Sequence, residues 1–207
     1  MSKSHEGFPV RPADPTFWWR TVCWVTPNIA VSGDLPWSRS EALTQLRYWE
    51  SEGITDVLDM RGESDDTDFI QQNSPLVSHW FGVDDNGTPR SDSWFNALTK
   101  KAREILADPN RKILVHCHMG CNRGPSAAYA VMIDQGHDHL DALRLIRQSR
   151  PIASIMYAPD AIRWHQRSLG QPVETVSQRC NEVVEWLNDN YLDVAWVIRN
   201  IGNRLAS

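Results

Sequence analysis

Apolar positions along this chain recur with two periods, and the periods alternate. The run Trp24-Val25-Thr26-Pro27-Asn28-Ile29-Ala30-Val31-Ser32-Gly33 reads as a strand, or a strand pair, closed by a glycine turn. Ser38 to Ser51 switches to helical spacing, with Leu43, Leu46 and Trp49 near one face, and Gly53 stops it. Ile54-Thr55-Asp56-Val57-Leu58-Asp59-Met60 returns to a strand, and Arg61 to Asn73 is polar enough for a loop with a short helix. Val77 to Val83 alternates as a strand and runs into Asp84-Asp85-Asn86-Gly87-Thr88-Pro89, a dense loop signal. Asp92 to Asp108 is amphipathic, with Trp94, Phe95, Leu98, Ala102 and Leu106 on its apolar side. Arg111 to Val115 is a short apolar strand predicted for the middle of a sheet. Pro125 suits the first turn of a helix, where a missing N–H costs little. That helix is predicted to end near Gln135, before Gly136, and Asp138 to cap another from Leu140 to Gln148.

Strands alternating with helices predict an α/β fold, a central, mostly parallel sheet flanked by helices. In such sheets ligands bind beyond the carboxyl ends of central strands, and residues 116–123 fall there. Residues 1–21 are expected as an N-terminal arm, loose through residue 16, with the main domain over 22–170. Residues 171–207 are expected as an extra C-terminal helical segment: Val176, Cys180, Val183, Leu187, Ile198 and Ile201 recur at helical spacing. This is one long helix or a pair jointed near Asn188-Asp189-Asn190. It either packs on its own domain or offers a seam for self-association or a partner.

Composition narrows the setting. The 207 residues, 41% hydrophobic and 23% charged, suffice for one well-buried domain. A net charge of -5 argues against a protein built to coat nucleic acid or an anionic membrane, while allowing a local basic pocket. No apolar run is long enough to span a bilayer, and the first residues lack the pattern of a signal peptide. The four cysteines show no disulfide framework, which fits a reducing, cytoplasmic compartment where thiols can do chemistry. The ten tryptophans are expected in core and groove positions.

The segment Val115-His116-Cys117-His118-Met119-Gly120-Cys121-Asn122-Arg123-Gly124-Pro125-Ser126 carries the chemistry. A strand ends, a tight loop comes next, and a helix begins. Backbone N–H groups of such a loop, with the helix N-terminus, form a nest for an anion. The planar fork of Arg123 can take two oxygens of a phosphate. Gly120 allows the bend. In that positive field Cys117 is expected as a thiolate, a nucleophile for phosphoryl transfer.

The pattern His116-Cys117-x5-Arg123 resembles the signature loop of the cysteine-dependent protein phosphatases, most of all their dual-specificity branch within the protein tyrosine phosphatase superfamily. Asn28 to Gly33, Gly53 to Arg61 and Arg150-Pro151 are similar to further segments of that family, so the resemblance covers about residues 22–168. It implies hydrolysis of a phosphomonoester through a phosphocysteine. Cys117 would attack, and Arg123 with residues His118, Met119, Gly120, Cys121 and Asn122 would bind the phosphate. A carboxylic acid on a loop some thirty residues earlier would protonate the leaving oxygen. Asp85 fits that spacing best, Asp84 is the alternative, and Asp92 a more distant one. His116 is expected as a hydrogen-bonding support that orients the loop.

The chain departs from the family after the arginine. A serine or threonine is usual there, and its hydroxyl assists breakdown of the phosphocysteine; here Gly124 cannot. Ser126 is a candidate substitute. Cys121 reads either as a small residue tolerated in the loop or as a disulfide partner that protects Cys117. The loop lacks the lysines of a site that grips a multiply phosphorylated inositol. His137-Asp138-His139 with Asp141 reads as a solvated turn and helix cap, and the chemistry calls for no metal or cofactor. The expected partner is a phosphorylated protein, with phosphotyrosine first and phosphoserine or phosphothreonine next. The alternatives are RNA 5′-phosphates, phosphoinositides, or a phosphate-binding module without turnover. A candidate acid argues for the enzyme, since a pure binder needs none.

Overall fold

The computed structural model describes residues 10–205. Five strands form one sheet: β1 (Cys23–Trp24), β2 (Ile29–Ser32), β3 (Asp56–Arg61), β4 (Val77–Val83) and β5 (Ile113–His116), in the order β1-β2-β5-β3-β4. β1 pairs antiparallel with β2 in a hairpin, and the other pairings are parallel. β5 is therefore central, as its apolar sequence predicts. His116 at its end is flanked by Ser32 and Asp59. The segments that leave β2, β3 and β5 consequently meet at one end of the sheet.

Side chains of the central strands alternate between two cores, as a pleated strand buried on both faces requires. Ile29, Val31, Ile113 and Val115 face the larger core, which also holds Phe95, Leu98 and Ile105 of α4 (Asp92–Leu106) and the buried side of α5 (Arg123–Asp134). α6 (His139–Ser149) and α7 (Ala158–Ser168) complete that layer with Leu143, Ile146, Ile162 and Trp164. Ala30, Val57 and Leu114 face the smaller core, with Leu46 and Trp49 of α2 (Arg39–Ser51) and Ile70 of α3 (Thr67–Asn73). Residues 123–133 of α5 are buried throughout, so its small, apolar sequence Ala127-Ala128-Tyr129-Ala130 reflects a helix packed all round.

Asp138 caps α6 through its side chain, which accepts from Leu140 N and Asp141 N at 2.9 and 3.1 Å. His139 turns instead to Glu182, 2.7 Å away.

The chain ends differ from the sequence expectation. The proposed loose segment 1–16 lies mostly outside the described residues, but its last two positions open α1 (Pro15–Trp19), capped by Asp14. Pro15 and Trp19 are buried. The C-terminal part forms the jointed pair, α8 (Val173–Asp189) and α9 (Val194–Leu205). Val183 of α8 sits in the larger core. Val197 and Ile201 of α9 are fully buried, in a third cluster with Trp19, Cys121 and Ile152. α1 and α9 thus pack against the loop after β5. The tryptophans divide: Trp19, Trp49 and Trp164 are buried, while Trp37 is 86% exposed and Trp80 is half-exposed.

Candidate active site

The loop from Cys117 to Asn122 joins the central strand to α5, and its shape is set by where its carbonyls go. The carbonyl of His118 accepts from Asp34 N (3.0 Å) and from Trp19 Nε1 (3.0 Å). Those of Met119 and Gly120 accept from Arg150, at 3.1 and 2.6 Å. That of Cys121 accepts from Ser154 N at 2.6 Å. Every peptide described is trans, and a trans peptide points its N–H opposite its C=O. Four carbonyls fastened to the protein body therefore turn the N–H groups of residues 119–122 away from those anchors, and Met119, Cys121 and Asn122 line a cleft with Cys117 and Arg123. Backbone N–H groups freed from internal partners in this way are what an anion nest requires.

Arg150 is the fastening. It is completely buried, and among the described residues no carboxylate hydrogen-bonds to it. Its guanidinium donates also to the carbonyls of Trp19 (2.9 Å) and Thr21 (3.2 Å) and to Cys23 Sγ (3.3 Å). Gly120 has a φ of 61°, and a Cβ there would stand 2.3 Å from Arg150 Nη2 and 2.5 Å from Ser32 O. Only glycine fits that bend.

Cys117 and Arg123 are both buried at the cleft floor, 2% and 4% exposed. The Arg123 fork grips the Glu63 carboxylate, with Nη2 donating to Oε1 at 2.7 Å and Nη1 to Oε2, while Nη1 also donates to Val83 O at 3.0 Å. Burial works to lower the Arg123 pKa, but Glu63 outweighs it and holds the guanidinium firmly charged. The same hydrogen bonds hold the Glu63 carboxyl below its usual range. Glu63 lies in a polar loop where nothing in the sequence separates it from its acidic neighbours.

Asp85 reaches the site and Asp84 and Asp92 do not. Asp85 Oδ1 accepts from Asn122 Nδ2 at 2.6 Å and from the Tyr157 hydroxyl at 3.1 Å, and Oδ2 lies 3.6 Å from Arg123 Nε. Asp84 lies against Gly62, and its carbonyl accepts from Arg90 Nη1 at 3.0 Å. Asp92 pairs with Arg167 at the start of α4. Arg90 also stacks on the Tyr157 ring, 4.5 Å from its centre, and Tyr157 accepts from Gly87 N at 3.1 Å. The loop that carries Asp85 is thereby fixed at both ends.

Four other candidates occupy distinct positions. The Asn122 side chain reaches Asp85 and accepts from Met156 N at 2.8 Å, so it braces the acid and the loop after α6 rather than facing the nest. The Ser126 hydroxyl is held by Asn122 Oδ1 (3.4 Å) and Tyr157 N (3.2 Å), and among the described residues no hydrogen bond joins it to Cys117. Cys121 packs into the third cluster and donates to Met119 O at 3.6 Å, and burial pushes its pKa up to about 12. His118 Nδ1 lies 2.6 Å from Asp34 Oδ2, and Arg20 also holds Asp34.

His116 corrects the sequence reading. It is not a hydrogen-bonding support: neither ring nitrogen finds a partner among the described residues. The ring is fully buried, 5.5 Å from the Trp49 ring and 3.7 Å from Asp59 Oδ1. Asp59 is already taken by Arg61, at 3.0 and 2.7 Å, and Arg61 also meets Asp66. The imidazole is therefore held by packing against Trp49 rather than by hydrogen bonds.

The assembled cleft, of about 400 Å³, is lined by Asp85, Cys117, Asn122 and Arg123 on one side and by Met156, Tyr157, Val194 and Ile198 on others. It can hold an anion at its floor, with a thiol below and a carboxyl at its rim.

Comparisons with protein-family models and with curated proteins give no match. Solved structures do match. The chain is similar to Tk-PTP in its active form, at 17% identity and TM-score 0.57 over 70% of this chain and 95% of that one. It is similar to human DUSP28, at 14% identity and TM-score 0.58 over 79% and 99%. It is also similar to PTPMT1 in complex with PI(5)P, at 15% identity and TM-score 0.59 over 72% and 96%. The five-stranded, mostly parallel sheet with its flanking helices is the fold of the dual-specificity phosphatases of the protein tyrosine phosphatase superfamily.

Proposed function

We propose that the protein is a cysteine-dependent phosphomonoesterase that acts on phosphorylated protein side chains, phosphotyrosine first. The observation that carries this reading is the convergence of Cys117, Arg123 and Asp85 on one cleft, beside a loop whose carbonyls are fastened to the protein body. In this mechanism the Cys117 sulfur attacks phosphorus and the P–O bond to the leaving group breaks. Arg123 and the loop amides carry the charge on the equatorial oxygens. Arg123 exchanges or shares its Glu63 contact with the phosphate. Asp85 gives its proton to the leaving oxygen, then takes one from the water that cleaves the S–P bond and releases inorganic phosphate.

The fold supports a phosphatase; the residue roles rest on the geometry. One neighbour, human tyrosine phosphatase-like serine/threonine/tyrosine-interacting protein (14% identity, TM-score 0.56), keeps a second reading in view, a binder without turnover. Asp85 and its two bracing partners favour the enzyme. Hydrolysis of p-nitrophenyl phosphate by the wild type and not by Cys117→Ser supports the proposal. An unchanged rate in that variant overturns it. The main unit expected over 22–170 remains the catalytic domain in this reading, with 171–207 completing it rather than serving as a seam for self-association.

A further inference from the structure

The residues of α9 divide by position around the helix. Val197 and Ile201, four apart, are fully buried against Trp19, Cys121 and Ile152. Val194 and Ile198, also four apart and so stacked on an adjacent stripe, line the cleft that contains Cys117 and Arg123. Ile198 is 45% exposed there, although it sits in a helix that the fold holds firmly by its neighbours. Met156 in the same lining is 55% exposed, and Met119 joins them from the loop. Exposed apolar groups cost little singly, but here they ring one opening.

The charge of the ring is equally specific. Among the described residues lining the cleft, Arg123 is the one arginine or lysine. A leaving group with further phosphates would meet no second arginine or lysine among the described lining residues. A flat apolar group would find four aliphatic or thioether side chains and the Tyr157 ring.

We infer that α9 is a wall of the substrate cleft, and that Val194 and Ile198 contact the leaving group and select for an apolar, aromatic one. The inference rests on the proposed phosphatase reading. It assigns the tail helix a part in specificity, and it explains why that helix is anchored on the stripe beside the one it presents.

The test compares wild type with Ile198→Asp and with the conservative Ile198→Leu. Each is assayed with naphthyl phosphate, and by inhibition with inorganic vanadate, which occupies the floor alone. For Ile198→Asp, kcat/KM for naphthyl phosphate is expected to fall about tenfold or more, the scale of a lost apolar contact, with vanadate inhibition within about twofold of wild type. Ile198→Leu is expected to retain the wild-type value. An unchanged naphthyl phosphate rate in Ile198→Asp overturns the inference, as does an equal loss of vanadate affinity. If the wild type turns nothing over, the phosphatase reading fails, yet the role of α9 can still be measured by binding. Affinity for naphthyl phosphonate relative to inorganic phosphate should then drop in Ile198→Asp, and an unchanged ratio refutes it.

Discussion

Asn122 Nδ2 donates to Asp85 Oδ1 at 2.6 Å, so the residue just before Arg123 holds the side chain of a loop thirty-seven positions earlier. The loop after β5 and the Asp85 carboxyl are therefore one unit, and in the proposed mechanism a carboxyl whose position is set this way would protonate a leaving oxygen without searching for it. Replacing Asp85 with Asn should lower kcat by roughly a hundredfold to ten-thousandfold. The loss should be larger for phenyl phosphate than for p-nitrophenyl phosphate, whose leaving group needs less help. Equal losses with both would remove Asp85 from the acid role.

Asn122→Ala keeps both reacting groups and removes their brace. Its expected signature is a kcat reduced about tenfold with KM nearly unchanged, because an acid misplaced in the transition state costs rate more than binding. Steady-state kinetics at several pH values checks this. A higher KM alone would make Asn122 a substrate contact.

Arg150→Met should destabilise the fold by about 2–4 kcal/mol, since the carbonyls of Trp19, Thr21, Met119 and Gly120 each lose a buried donor. Urea unfolding measures the loss, and vanadate affinity should fall with it as the nest opens. Full stability in Arg150→Met would mean that the loop holds its shape without the guanidinium.

Two glycines of the same loop should respond in opposite ways. Gly120→Ala places a Cβ 2.3 Å from Arg150 Nη2 at a positive φ, and should cost at least about 1–2 kcal/mol and most activity. At Gly124 a Cβ would lie 3.3 Å from His116 C and 3.4 Å from Cys117 N and Val115 O, so the backbone there must give by only a few tenths of an ångström, far less than at Gly120. Gly124→Ser should fold and set a hydroxyl beside the nucleophile, speeding breakdown of the phosphoenzyme. Single-turnover kinetics separates that step from its formation; an unaltered breakdown rate would show that Gly124 is no handicap.

The alternation of periods in the sequence made the sheet and the place of β5 in it legible, because a central parallel strand must be apolar on both faces. The loop was legible because a cysteine, a glycine bend and an arginine fork lie within seven residues. The features that stayed hidden depend on distant segments. Glu63 is one acid among several until the fold brings it to Arg123. Arg150 looks like a helix-end arginine, and its burial beneath the nest depends on Trp19 and Thr21 arriving from the far end of the chain. The helical spacing of the tail was plain, but which stripe meets the cleft is decided by the third cluster. His116 was read as a hydrogen-bonding support from its place before Cys117, but the acid the fold brings nearest to it, Asp59, is already held by Arg61.

That buried histidine should shape the stability of the protein in acid. Burial pushes the His116 pKa below its ordinary 6.5, against the pull of Asp59, Asp66 and Asp34 and with the push of Arg61. A histidine depressed in the fold contributes stability fully above its unfolded value, and loses it as pH falls below. Burial pushes Asp59 up, but His116 and Arg61 outweigh it and hold it low, so its contribution is lost only in stronger acid. Asp66, raised by burial, works in the opposite sense. Wild type should therefore lose stability as pH falls below the ordinary histidine value of 6.5, and His116→Gln should show a flatter dependence there. Parallel curves would assign the acid sensitivity to other groups.

The central claim is that Cys117 carries the phosphoryl group. The most direct measurement is intact-protein mass spectrometry after rapid acid quench of a reaction with p-nitrophenyl phosphate, with the adduct located by peptide mapping. The account predicts a gain of one phosphoryl group on Cys117, more abundant in the wild type than in Gly124→Ser, and none in Cys117→Ser. Turnover without any adduct on Cys117, or continued turnover by Cys117→Ser, would contradict it.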